Sequence, residues 1–406
     1  MSRIVIINQP TGNRGDESAH RALVRRLSNT NKSNKIIVVY FAESKERAEQ
    51  FEVKCPNVEY IYLPYIRGSK QIAKYSLKYH LDDITTSLIP VYRRMEKIIR
   101  SADYIVCAPG GICMGRFMNW NHVFWLKRAK KSKRPTAYYS RSFGPFLTGN
   151  KERELFKSIS LDILKSLNFL SIRDQKTMSF SEQIGIKYTP SIDTAFLERP
   201  IVDIHYLKKE LSEKYVVFVP NTLIWQPDFK QADALKIRDF YEKIINKLVE
   251  HYPDHKIIMM PQLFAQGSRN DYEYFISLKK GSIHNNLITV LPDTMSSDIQ
   301  QSIIFDSKLV IGARYHSIVF AINNERPFVA LSYEHKMFGL LSILGLENRQ
   351  IDITKIGTDS FDNNKAILQV ERIMEVPIVL SSHHEKASGI AVDCFNHFLD
   401  SFLFVH

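Results

Sequence analysis

The chain has 406 residues, more than a single hydrophobic core usually organises, and 44% of them are apolar, so two filled cores are expected rather than disorder. No stretch approaches the ~18 uninterrupted apolar residues of a membrane-crossing helix. A formal net charge of +12 suits anionic partners, such as phosphorylated substrates, acidic glycans, a lipid surface or nucleic acid.

The opening "MSRIVIINQPTG" enters directly into a core strand. Its apolar run is too short for a secretion signal, which predicts a cytoplasmic protein. "RIVIINQ" (3–9) reads as a strand that passes through "PTGNRGD" into a helix from Glu17 to Leu27. The strand "KIIVVYF" (35–41) and the helix-like "SKERAEQFE" follow. "ADYIVCAPGG" (102–111), "PTAYYSRSFGPF" (135–146) and "LNFLSIRD" (167–174) each read as a buried strand running into a loop. A second series holds "KYVVFVPN" (214–221), a helix around 231–251, "HKIIMMPQ" (255–262), "LITVLPD" (287–293), "KLVIGARYH" (308–316) and "RPFVALSYEHK" (326–336). Strands alternating with helices predict an α/β protein built of parallel sheets. We read two Rossmann-like domains, 1–200 and 201–388, with the boundary near 196–213. A helix in 389–406 is a candidate to pack back on the N-terminal domain. Ligands of such sheets bind at strand C-terminal ends, and a central cleft between the domains is the expected site.

Several of those strand ends carry chemistry. In "TGNRGDE" (11–17) two glycines lead into a helix N-terminus able to hold an anion, and Asp16 either caps the helix alone or caps it and also takes a substrate role in the cleft. The turn is neither a dinucleotide fingerprint nor a P-loop. "APGGICMGR" (108–116) lets backbone approach a ligand at Gly110 and Gly111. Arg141 follows one strand end and Arg173 another, the latter beside Asp174, a neighbour pair that is more often a structural ion pair than catalytic. The four cysteines (Cys55, Cys107, Cys113, Cys394) lack metal-ligand or redox spacing and read as reduced thiols. "LDDI" (81–84) and the loop-like "SHHEK" (382–386) do not make a metal site. The basic run "LKRAKKSKRP" (126–135) reads as a solvated helix face or as a contact for an anionic membrane surface. It lacks the interleaved aromatics of a nucleic-acid platform, so no nucleic acid is expected.

"VIGARYHSIVFAI", beginning at Val310, is the most pointed segment. A strand hands over to a helix with Ser317 near its cap, which puts Arg314 and His316 at a helix N-terminus where the dipole favours an anion. Arginine supplies a planar fork for phosphate or carboxylate, and an imidazole that gains a proton as an anion arrives is placed to act as a general acid.

The ordered set "NRGDESA", "PGGICMG", "RSFGPF", "SIRDQKT", "SIDTAF" and "ARYHSIVFAINNERPFVALSYEHK" resembles the polysaccharide pyruvyl transferase family. The chain departs from the family pattern at Pro109-Gly110-Gly111, where a triple glycine is usual, and at Arg141, where Gln or Asn is common. The resemblance implies a GT-B-like fold and transfer of a pyruvyl unit from phosphoenolpyruvate to two sugar hydroxyls as a cyclic ketal, with release of phosphate. It places Arg314 and His316 at the phosphoenolpyruvate site, with Lys336 and Ser317 beside them. Asp16 is then the candidate to orient or deprotonate an acceptor hydroxyl, and Asn13, Gly110, Gly111, Arg141 and Arg173 are candidates for the acceptor or cleft. No metal or cofactor is expected beyond phosphoenolpyruvate as co-substrate, and the acceptor is a sugar or a lipid-linked oligosaccharide. A GT-B glycosyltransferase using a nucleotide sugar and a non-catalytic glycan- or anion-binding protein are the competing readings.

Overall fold

The structure, a computed structural model, describes residues 1–42, 45–264 and 270–403. The chain divides into two compact units. The first holds Met1–Thr11, Ala19–Leu197 and Gly389–His406, and the second holds Gly12–Ser18 and Glu198–Ser388. No helix among the described residues is long and apolar enough to cross a membrane.

In the first unit the strands are β1 (Arg3–Ile7), β2 (Lys35–Ala42), β3 (Val58–Pro64), β4 (Tyr104–Cys107), β5 (Thr136–Tyr138), β6 (Phe169–Ile172) and β7 (Thr189–Pro190). They form a parallel sheet in the order β3-β2-β1-β4-β5-β6-β7. The helices along this part of the chain are α1 (Arg14–Thr30), α2 (Lys45–Glu49), α3 (Ser69–Lys78), α4 (Asp82–Leu88), α5 (Pro90–Arg100), α6 (Trp120–Lys131), α7 (Lys151–Lys165) and α8 (Gln175–Gln183). The central strands are apolar on both faces because helices cover both, which is why they read as unbroken Val/Ile runs. The edge strand β3 is only half buried, and β7 has two residues, so neither carried that signal.

The second unit repeats the winding with β8 (Tyr215–Val219), β9 (Lys256–Met259), β10 (Ile288–Val290), β11 (Val310–Gly312), β12 (Phe328–Ser332) and β13 (Gln350–Asp352). Its parallel order is β10-β9-β8-β11-β12-β13. Its helices are α9 (Lys208–Leu211), α10 (Ala234–His251), α11 (Asp271–Gly281), α12 (Ser297–Asp306), α13 (Tyr315–Asn323), α14 (His335–Leu344), α15 (Asn363–Glu375) and α16 (Ser381–Phe398). In each sheet the strand order reverses at one crevice, between β1 and β4 in the first unit and between β8 and β11 in the second. Doubly wound sheets bind ligands at that crevice.

Two local expectations change. "SHHEK" is helical, not a loop: α16 starts at Ser381, and the His384 N–H already donates to the Leu380 carbonyl at 2.8 Å. Its far end packs on the first unit, with the Phe398 ring centre 5.0 Å from Tyr139 and 5.1 Å from Phe169. Three of the six basic residues in the run 126–135 are also paired within the fold. Arg128 is buried among the carboxylates of Asp82, Asp83 and Glu96, Lys131 reaches Asp82 and Asp83, and Lys130 pairs with Asp162 at 2.7 Å. These bonds tie α6 to α4, α5 and α7. The helix is thus a structural anchor as well as a basic face, since Lys130 and Lys131 stay exposed.

Candidate active site

At the crevice of the second unit, β11 ends at Gly312, paired with Val219 of β8 and Ala330 of β12. The chain then turns into α13, and Arg314 rather than Ser317 occupies the N-cap position, in extended conformation. The Ser317 hydroxyl donates back to the Arg314 carbonyl at 2.5 Å and thereby fixes the turn that presents Arg314. Arg314 is buried, and its Nη2 donates to Asp271 Oδ1. The second oxygen of Asp271 accepts the backbone N–H groups of Gln262 (3.0 Å) and Leu263 (2.8 Å), so the carboxylate is itself held in place. Burial alone would make the guanidinium easier to deprotonate, but the Asp271 charge outweighs it and raises its pKa, so Arg314 remains a cation. Its guanidinium carbon lies 6.0 Å from the Trp225 ring centre.

His316 is the second residue of α13, buried, with its ring edge-to-face on Tyr315 at 4.9 Å. The first turn of α1 also belongs to the second unit. There Gly15 is indispensable for packing, because a Cβ on it would lie 1.8 Å from His316 Nδ1. The glycine of "NRGDE" therefore lets the backbone of α1 lie directly against the imidazole. Asn13 Oδ1 accepts the Gly15 N–H at 2.7 Å, so Asn13 takes the capping role, and the Asp16 side chain makes no hydrogen bond or ion pair among the described residues.

Arg14 and Glu17, which the sequence reading passed over, are the buried charges of this turn. They pair at 2.6 Å. Arg14 Nη2 also donates to the Asp293 carbonyl at 2.7 Å, and its guanidinium lies 4.5 Å from the Phe264 ring centre. Glu17 Oε1 accepts the Ser297 N–H at 3.0 Å and the Ser297 hydroxyl at 3.2 Å, a carboxylate at the N-terminus of α12. Lys336 sits in the first turn of α14, after β12, the strand next to β11, with its ammonium 3.6 Å from Glu334. Arg314, His316 and Lys336 thus follow the C-terminal ends of two neighbouring strands.

The remaining candidates lie in the first unit. Arg141 donates to the carbonyls of Gly111 (Nε, 3.0 Å) and Ala108 (Nη1, 2.6 Å) and to Cys113 Sγ (3.0 Å). Its charge is directed at the glycine turn, which it holds in shape. Gly110, at a φ of 155°, pairs with Arg141 in an isolated bridge, and a Cβ there would meet Pro10 at 3.2 Å and Arg141 at 3.3 Å, whereas Gly111 has open space. Arg173 pairs with Asp193 of "SIDTAF", not with its neighbour Asp174, which caps α8 by accepting the Thr177 N–H at 2.9 Å. That pair joins two of the motifs through a buried ion pair.

Beside the Arg141 turn, at the β1/β4 crevice, a cavity of about 190 Å³ opens between Asn8, Cys113, Asn119, Asn121, His122 and the aromatic pair Phe41–Trp125, whose rings stack at 5.5 Å. Burial and the Arg141 charge push the His122 imidazole well below its usual pKa, so it is neutral and offers hydrogen bonding rather than charge. No motif in the sequence marked Asn8, His122 or Trp125. Asp271 was equally silent, since it lies 43 residues from Arg314 and carries no local signal.

Residues 13–335 match the sequence profile of the polysaccharide pyruvyl transferase family. The amylovoran biosynthesis protein AmsJ of Erwinia amylovora is 23% identical over 399 residues, covering 88% of this chain and 89% of that one. Among solved structures, MnaA of S. aureus with UDP superposes with a TM-score of 0.58 at 12% identity, covering 98% of this chain and 96% of that one. A Siraitia grosvenorii ugt transferase with UDP gives 0.59 at 11% identity, covering 98% and 99%. These likenesses establish the α/β, GT-B-like fold. The profile match spans well over half the chain, and with the ordered motifs it shows that the chain belongs to the polysaccharide pyruvyl transferase family.

Proposed function

We propose that the protein transfers the pyruvyl group of phosphoenolpyruvate to two hydroxyls of a sugar in exopolysaccharide biosynthesis, forming a cyclic ketal and releasing phosphate. The observation that carries the reading is the Asp271-held Arg314 beside His316, at the N-terminus of α13 and the crevice of a doubly wound sheet. Arg314 and Lys336 bind the phosphate and carboxylate, and Ser317 keeps the Arg314 turn in place. His316 donates a proton to the methylene carbon, and the electron pair of the double bond forms the new C–H bond, leaving C2 an oxocarbenium-like electrophile. One sugar hydroxyl adds to C2 and its proton returns to the imidazole. The C2–O bond to phosphate then breaks, the second hydroxyl bonds to the same carbon, and its proton leaves with the phosphate. Positioned cations stabilise the charge that develops on the leaving group.

For the acceptor we assign the cavity beside the Arg141 turn. Its carboxamides and neutral His122 match hydroxyl groups, and Phe41 with Trp125 gives an apolar wall for a sugar ring. Arg141 lines it and holds the turn of Gly110 and Gly111 beside it, Arg173 holds the neighbouring loop, and Asn13 with Asp16 belongs to the donor side. Asp16 is proposed to orient an acceptor hydroxyl.

The test is phosphate release from phosphoenolpyruvate with a panel of glycan acceptors, together with a product mass gain of one pyruvate less water. His316→Ala should abolish release while thermal unfolding stays near that of the parent. Near-normal turnover in that variant would refute the role of His316, and release of UDP or GDP from a nucleotide sugar would establish the glycosyltransferase reading instead. Binding of phosphoenolpyruvate or glycan without any release would establish a non-catalytic protein.

A further inference from the structure

Between β3 and β4 the first unit inserts three helices, and their exposed side is unusually apolar. Tyr65, Tyr75, Tyr79, Leu81, Ile84 and Leu88 are exposed, from 42% at Leu81 to 69% at Leu88. Tyr75 and Tyr79, four residues apart around the end of α3, stack their rings at 6.3 Å. Leu81, Ile84 and Leu88 recur at the helical spacing that places them on one face of α4. The hydroxyls of Ser76 and Thr85 bond at 2.6 Å and the Leu81 N–H donates to the Ser76 carbonyl, which holds the two helices together beside these positions. Concentrated apolar exposure of this kind marks a contact surface.

The charge around it selects the partner. Residues 65–100 contain eight Lys or Arg against three acidic residues, Asp82, Asp83 and Glu96. All three acids are bonded to Arg128, and Asp82 and Asp83 also to Lys131. Lys74 pairs with Glu152 at 2.6 Å, whereas Arg67, Lys78 and Arg94 make no ion pair among the described residues. The Lys78 ammonium lies 5.0 Å from the Tyr79 ring centre, an aromatic with a cation above it. An unbalanced positive ring around tyrosines and branched aliphatics opposes pairing with a second copy of itself, since like charges would meet. A nucleic acid would leave Leu81, Ile84 and Leu88 without a use. A lipid headgroup layer takes all of it: aliphatics reach the acyl boundary, tyrosines sit at headgroup level, and the basic residues are drawn to an anionic surface.

We propose that the α3–α4 corner docks the protein on an anionic lipid bilayer surface. Unlike the basic run 126–135, this corner joins its cations to exposed large apolar side chains. Tyr65 also lines the cavity beside Arg141, so a glycan carried on a lipid would be presented next to that cavity. Docking is independent of the donor chemistry proposed above, because it is read without turnover.

The experiment is co-sedimentation of the full chain with vesicles of phosphatidylcholine, alone or with phosphatidylglycerol added, at low and high salt. Binding is expected with phosphatidylglycerol and weakened by salt. The double variant Ile84→Asp/Leu88→Asp, both at exposed positions, should lower partitioning at least tenfold without moving the thermal midpoint. Lys78→Glu/Arg94→Glu should weaken binding only where phosphatidylglycerol is present. Leu235→Asp, an exposed leucine of the second unit, should leave binding unchanged. Absence of sedimentation with every vesicle, or sedimentation indifferent to the corner variants, would overturn the proposal. So would a concentration-dependent dimer, seen by light scattering, that Ile84→Asp/Leu88→Asp dissolves.

Discussion

Replacing Gly15 by Ala tests how closely the first turn of α1 is fitted to the His316 imidazole, the proposed general acid. The added methyl carbon would fall 1.8 Å from His316 Nδ1, 2.0 Å from its Cγ and 2.4 Å from its Cε1. Ordinary contact needs about 3.5 Å, so the nearest approach is short by about 1.7 Å. A shift of that size moves either the ring or the helix turn. Overpacking costs about 1–3 kcal/mol, and the better helix propensity of alanine returns up to about 1 kcal/mol. Net destabilisation is therefore about 3 kcal/mol at most, and the protein stays folded. Catalysis is more sensitive, because displacing a catalytic group by about 1 Å costs on the order of a hundredfold. Gly15→Ala should thus lower phosphate release from phosphoenolpyruvate by about a hundredfold or more, with a thermal midpoint only a few degrees below the parent. Gly12→Ala is the matched control, since a Cβ there meets nothing within 4 Å. Parent-like activity in Gly15→Ala would refute the placement of His316 against α1, and equal loss in both variants would point to the turn as a whole.

Glu17→Ala removes the carboxylate that joins Arg14 to the N-terminus of α12 and strips a buried guanidinium of its counter-charge, so it should cost about 3–5 kcal/mol in chemical denaturation. Arg14→Met/Glu17→Ala should be less destabilised than Glu17→Ala alone, and the reverse order would refute the pairing argument. Acidification should also weaken the fold through its buried histidines. Burial and the Arg21 charge pull the His20 imidazole down to about 3, and burial with the Arg141 charge lowers His122. The unfolded chain then binds more protons below the ordinary histidine value. Stability from His20 is complete above about pH 6.5 and falls as pH drops through that value, by about 2 kcal/mol at pH 5. His20→Phe should reduce the fall between pH 7 and pH 5, measured by denaturant midpoints, and an identical fall in parent and variant would show that His20 is not its source.

How far this was legible in the sequence follows from the range of the forces involved. Strand and helix identity is local, and the unbroken Val/Ile runs of β1, β2 and β8 and the turn chemistry after them were enough to read two parallel α/β units. The half-exposed edge strand β3 and the three-residue β13 carry too little pattern to be seen that way. Arg314 and His316 were legible because two polar residues interrupt an apolar strand-to-helix junction, and that junction fixes their place at a helix N-terminus. What fixes Arg314 was not legible. Asp271 arrives from another helix, and the Arg14–Glu17 pair reaches α12 from the far end of the chain. The same holds for charge. The sequence determined that residues 126–135 are basic, but only packing decided that Arg128 and Lys131 bond to Asp82 and Asp83. A side chain's type and helical position are set by its neighbours in sequence. Its counter-charge is set by whatever the fold places within a few ångströms, and that is a property of tertiary structure alone.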